Sequence, residues 1–115
     1  MGYYTNFNGS VSFDKSPSIV DAKVIEEILD NIDIDWSEDG VTLEIGNGEP
    51  RTWYDWSKDL YKLIAFCETA GYKIVGEIEC LGEENPDIWA IKVENNKVYS
   101  ATASIIMNEF TEVKR

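Results

Sequence analysis

Residues 71–100 read GYKIVGEIECLGEENPDIWAIKVENNKVYS, and the period-two pattern in this stretch decides the fold. Tyr72, Ile74, Ile78 and Cys80 fall on one face of an extended chain, and Lys73, Val75, Glu77, Glu79 and Leu81 on the other. Trp89, Ile91 and Val93 then alternate with Ala90, Lys92 and Glu94. The dipeptide Asn95-Asn96 suits a two-residue hairpin, because Asn tolerates positive φ better than most residues. That turn sets Glu94 opposite Lys97 and Val93 opposite Val98, a register consistent in both charge and face. The stretch predicts a three-stranded meander ending near Ile105, followed by a short tail.

Working back from Gly71, a natural left-handed stop, Trp56, Leu60, Leu63, Ile64 and Cys67 form the apolar stripe of a helix. TWYD at its start matches a capping box, with Thr52 accepting from the backbone and Asp55 reaching back. Gly46-Asn47-Gly48-Glu49-Pro50 breaks a short strand in which Val41, Leu43 and Ile45 alternate with Thr42 and Glu44. Asp33 to Gly40 reads as an acidic turn. Before it, Ser16-Pro17 supplies an N-cap and a first-turn proline for a helix running to about Ile32, with Val24, Ile25, Ile28, Leu29 and Ile32 at helical spacing. Tyr3, Thr5, Phe7, Gly9, Val11 and Phe13 alternate with polar residues as a long first strand, bent at Gly9. The order β-α-β-α-β-β-β predicts a single α+β domain over residues 1–115, a mainly antiparallel sheet of about five strands with two helices packed on one face.

A chain of 115 residues with 43% hydrophobic and 12% aromatic residues supports one real core. Asp and Glu number 22 against 10 Lys and Arg, a formal net charge of -12. Such a surface repels nucleic-acid phosphates and anionic lipid, which need Lys and Arg to displace counterions. It attracts basic surfaces and speeds association with them. Direct nucleic-acid or membrane binding is therefore not expected. Cys67 and Cys80 show no Cys-x-x-Cys or Cys/His spacing and read as reduced, partly buried thiols. The opening Met1-Gly2-Tyr3-Tyr4-Thr5 has neither a basic nor an apolar leader pattern, and the expected location is the cytoplasm.

Between Gly76 and Trp89 five carboxylates gather: Glu77, Glu79, Glu83, Glu84 and Asp87. Glu77 and Glu79 share a strand face, about 7 Å apart. A hard cation such as Ca or Mg could use them together with the acids that follow. The calcium-loop pattern is absent, however, and with no His in the chain a transition-metal site lacks its commonest ligand. The expectation is no metal and no cofactor, with the carboxylates on a solvated sheet face. A sugar-sized cleft for paired-carboxylate hydrolysis is hard to build in one small domain, and a thiolate would lack its usual base. Trp53, Tyr54, Trp56 and Tyr61 crowd the start of the second helix. Trp56 belongs to its apolar stripe and Trp53 to a staple at the helix entry, whereas Tyr54 and Tyr61 are free to form a contact surface.

The GYYT opening, WYD with Asp59 and Leu60 behind it, GEIECLGEENPDIW and KVENNKV together resemble a group of small acidic proteins from phages and prophages. In that group a GYYT start, a WYD-x-x-x-D-[LM] helix and a GEGEE-x-x-DIW-type loop before a KNGKV-type hairpin recur in this order. The resemblance covers most of the chain through short motifs. Ile78-Glu79-Cys80-Leu81 lengthens the acidic segment relative to the group, and Asn95-Asn96 replaces an Asn-Gly turn. What it implies is a setting: small acidic phage proteins often inhibit a host protein by occupying its basic, nucleic-acid-binding surface.

Charge, clustering and resemblance together lead to the expectation of a non-enzymatic phage or prophage accessory protein that binds a basic host protein, such as a defence nuclease, by nucleic-acid mimicry. Its contact residues are expected to be Glu77, Glu79, Glu83, Glu84 and Asp87, helped by Tyr54, Asp55 and Asp59. Two alternatives stay open. One is a small carboxylate- or metal-dependent enzyme, and the other an oligomeric structural or immunity-type protein pairing through an exposed strand.

Overall fold

A computed structural model of the chain describes residues 4–46, 49–82 and 88–103. In order these form β1 (Thr5–Phe13), α1 (Ile19–Ile28), β2 (Ile34–Trp36), β3 (Thr42–Ile45), α2 (Trp56–Ala70), β4 (Ile74–Gly82), β5 (Ile88–Glu94) and β6 (Lys97–Ala103). The described strands form one antiparallel sheet in the order β2-β3-β1-β4-β5-β6, so the α+β reading holds. Tyr3 and the segment after Ala103 lie outside the described residues.

Inward-facing side chains of β1, β3, β4 and β5, among them Phe7, Val11, Leu43, Ile45, Ile78, Cys80, Ile91 and Val93, meet Ile25 and Leu29 of the α1 segment and Leu60, Leu63, Ile64 and Cys67 of α2 in one buried cluster. The meander carries the predicted faces: Ile74, Ile78 and Cys80 are buried, and Val75, Glu77, Glu79 and Leu81 are exposed. Its hairpin has Asn95 at φ 52° and Asn96 at φ 60°, with Glu94 opposite Lys97 and Val93 opposite Val98. These are the two left-handed positions a type I′ turn needs.

Three boundaries differ from expectation. The sheet has six described strands, because Ile34–Trp36, expected as part of an acidic turn, pairs with β3. Three residues are too few to display an alternation in sequence, and the turn proper begins at Ser37, where Ser37 and Asp39 bond to each other and Asp39 accepts from the Val41 amide. The α1 helix is capped by Ser18 rather than Ser16, its hydroxyl accepting from Asp21 N at 3.1 Å, and ends at Ile28, with Leu29 and Ile32 still reaching the core. The Thr52 capping box does not form. Asp55 is the N-cap of α2, its carbonyl accepting from Asp59 N at 2.8 Å. Trp53 must lie beneath the first turn for its indole to reach Asp59, which keeps residues 52–54 out of the helix.

Contacts at the chain crossings fix these elements to each other. The Tyr72 hydroxyl donates to Asp21 at 2.5 Å and accepts from Ser18 N at 3.2 Å, tying the start of α1 to the residue after the left-handed Gly71 cap of α2. Thr5 and Arg51 exchange two backbone bonds of 2.9 Å, and the Arg51 guanidinium clasps Asp33 through two bonds of 2.6 and 3.2 Å.

Cys67 and Cys80 are not joined in a disulfide, and both are buried. Burial, reinforced by the charges of Asp14 and Asp21, pushes the Cys67 thiol from 9.0 up to about 11. A raised folded pKa means that stability is intact below pH 9 and is lost as pH climbs from 9 through 11, by no more than about 2–3 kcal/mol. Urea titrations at pH 8 and pH 11 should show this fall in the wild type, and Cys67→Ala should flatten that part of the profile. In the native protein at pH 8 neither thiol should react with an aromatic disulfide reagent until denaturant is added.

Candidate functional site

Both helices pack on one face of the sheet, so alternate residues of every strand project from the other. One cross-strand row on this open face runs through Asp35 of β2, Glu44 of β3, Ser10 of β1, Glu77 of β4, Lys92 of β5 and Tyr99 of β6. The adjoining row is Asn8, Glu79, Ala90 and Ala101, and the next is Asn6, Leu81 and Ile88. Strands lie about 4.8 Å apart, so Asp35 and Glu44 are direct neighbours, Glu44 and Glu77 are about 10 Å apart across β1, and Glu77 and Glu79 about 7 Å apart along β4. Asp35, Glu44, Glu77 and Glu79 are all exposed.

Lys92 is a basic residue inside this array that the acidic stretch of sequence did not disclose. It pairs with Glu94 at 3.1 Å and faces Glu77 across the β4–β5 ladder. Its pKa is raised, first by the hydrogen bond to Glu94 and then by the charges of Glu94 and Glu77. Lys92 therefore offsets the end of the array near β5, and the excess negative charge lies toward β2 and β3.

The expected contact residues divide into separate groups. Glu77 and Glu79 stand together on the open face, as expected. Glu83, Glu84 and Asp87 lie outside the described residues. Tyr54 and Asp55 belong to the α2 side of the sheet; Tyr54 is 70% exposed and Asp55 caps the helix. Asp59 requires a correction: it is 5% exposed and accepts the Trp53 indole N–H at 2.8 Å, so its carboxylate faces the interior and not a partner. Its inward turn follows from its place one residue before Leu60 on the buried stripe of α2. Asp35 and Glu44 were not anticipated as site residues. The outward direction of Glu44 is visible in its strand alternation, but its closeness to Glu77 depends on β1 lying between β3 and β4.

A second feature occupies the end of the sheet where β1 begins. Phe7, Trp53, Tyr54, Trp56 and Trp89, with Thr5, line a cavity of about 150 Å³. The Phe7 ring meets Trp53 at 5.4 Å and 75° and Trp89 at 6.0 Å and 85°, while Trp56 and Trp89 lie 5.3 Å apart at 50°. Expected as a helix staple and a stripe residue, Trp53 and Trp56 are joined here by Trp89 from the meander. Among the described residues no three His, Cys, Asp or Glu side chains converge closely enough to hold a metal ion, and no helix is long and apolar enough to cross a membrane. Comparison with protein-family models, with curated proteins and with solved structures finds no match for this chain.

Proposed function

We propose that the protein is a non-enzymatic binding protein that lays the uncovered face of its sheet on a basic protein. The observation that carries this reading is the exposed set Asp35, Glu44, Glu77 and Glu79, held at fixed spacings by a rigid sheet with Lys92 at one border. Arg and Lys groups that recognise phosphates also pair with carboxylates, so a surface built for nucleic acid would accept this array. In the phage or prophage setting that the resemblance implies, the partner is a basic host protein such as a defence nuclease, inhibited by occupation of its nucleic-acid channel.

The reading is tested by capture of proteins from host lysate, comparing the wild type with Glu44→Lys/Glu77→Lys/Glu79→Lys. These side chains are exposed, so the fold should survive their exchange to within about 0.5 kcal/mol per site. A basic protein should be retained by the wild type near 0.1 M salt and released at about 1 M, where the screening length falls to about 3 Å. The reversed variant should not retain it at either concentration. The same proteins captured by both forms, or retention insensitive to salt, would contradict the proposal.

A further inference from the structure

The aromatic cavity at the end of the sheet lies on the α2 side, separate from the acidic face, and its chemistry points to a ligand of its own. Five of its six lining residues are aromatic, and three of those are tryptophans, the strongest cation–π donors. The ring pairs meet at 50° to 85°, so the walls face in different directions and do not form the flat slot that a planar guanidinium prefers. Behind one wall, the buried Asp59 carboxylate accepts the Trp53 indole N–H and polarises that ring toward a more negative face. The chain's net charge of -12 raises the local concentration of cations around it.

We infer that the cavity lined by Phe7, Trp53, Tyr54, Trp56 and Trp89 is a receptor for a methylated ammonium group, the head of a methylated lysine side chain. That the lysine is carried by a basic protein rests on the function proposed above. The preference of the cavity for a methylated cation does not.

The test is an NMR titration of the full chain with N-acetyl-trimethyllysine amide, followed through the indole N–H resonances. Trp36 is an internal control, because it packs on Phe13 at the other end of β1. Saturable shifts of Trp53, Trp56 and Trp89 are expected, with Trp36 unmoved. The neutral analogue in which carbon replaces the quaternary nitrogen should bind at least roughly tenfold more weakly. Half-buried Trp56 tolerates exchange, so Trp56→Leu should lose roughly tenfold in affinity while Trp56→Phe keeps most of it. Equal binding of the neutral analogue, undiminished binding by Trp56→Leu, or shifts that include Trp36 equally would overturn the inference, as would no saturable shift. The Glu44→Lys/Glu77→Lys/Glu79→Lys protein should titrate like the wild type. Ligand binding without capture of a basic protein would leave the cage standing and remove the acidic-face reading, and the converse result would do the opposite.

Discussion

Asp59→Ala is expected to lower the unfolding free energy by about 2–3 kcal/mol. Alanine removes a charge-assisted hydrogen bond and leaves the Trp53 indole N–H, in a residue 4% exposed, without its acceptor. Leaving a buried donor without its acceptor costs about 1–3 kcal/mol, the upper end applying where the lost acceptor is a carboxylate. A domain of this size holds only about 5–15 kcal/mol in total, so this one bond accounts for a substantial share of the stability. Asp59→Asn keeps an acceptor oxygen and should lose only about 1 kcal/mol. Urea denaturation of the two variants measures both figures, and a loss under about 1 kcal/mol in Asp59→Ala would mean that water reaches the indole.

Gly46→Ala should cost about 4 kcal/mol. Gly46 has φ +86°, and its amide donates to the Asp33 carbonyl at 2.8 Å where β3 ends beside β1. A β-carbon there would run into the carbonyl oxygen of Phe7. The left-handed backbone alone costs a non-glycine residue about 1–2 kcal/mol, and displacing a neighbouring strand adds about 1–3. Gly40, also left-handed at φ +70°, is a built-in comparison: its added carbon would meet only the Ser16 side chain, at 3.1 and 3.8 Å. Gly40→Ala should therefore lose about 1–2 kcal/mol, and equal losses at the two sites would show that strand contact contributes nothing at Gly46.

The parts of the fold that were legible in sequence are those in which one periodicity persists long enough to be read. Ile74 to Cys80, Phe7 to Phe13 and the stripe from Leu60 to Cys67 each repeat several times, and each is buried as the period requires. The Asn95-Asn96 hairpin was legible for a different reason, because its local chemistry fixes both the turn and the register. Ile34–Trp36 was not, since a strand of three residues owes its existence to β3 and not to its own pattern. The site divides in the same way. The shared direction of Glu77 and Glu79 is a local property. The row that joins Asp35, Glu44 and Glu77, the opposition of Lys92 to Glu77, and the meeting of Trp89 with Trp53 and Trp56 are products of strand order. Asp59 misled because a carboxylate near a helix start is usually solvated. Only the position of the Trp53 ring reveals its acceptor role.

The central place of β1 sets the order in which the protein can fold. It precedes the other described strands in the chain, yet its partners are β3 and β4, with Thr5 opposite Gly82 and Phe13 opposite Ile74. On a ribosome β1 waits through the synthesis of both helices before its second neighbour exists, whereas β4, β5 and β6 can close on one another through local turns. Distant pairings of this kind place folding in the range of milliseconds to seconds, slower than a helical domain of equal length. Until β4 docks, the edge of apolar-faced β1 that is not paired with β3 is open to other chains, so the yield of native protein depends on how quickly the β4–β6 meander arrives.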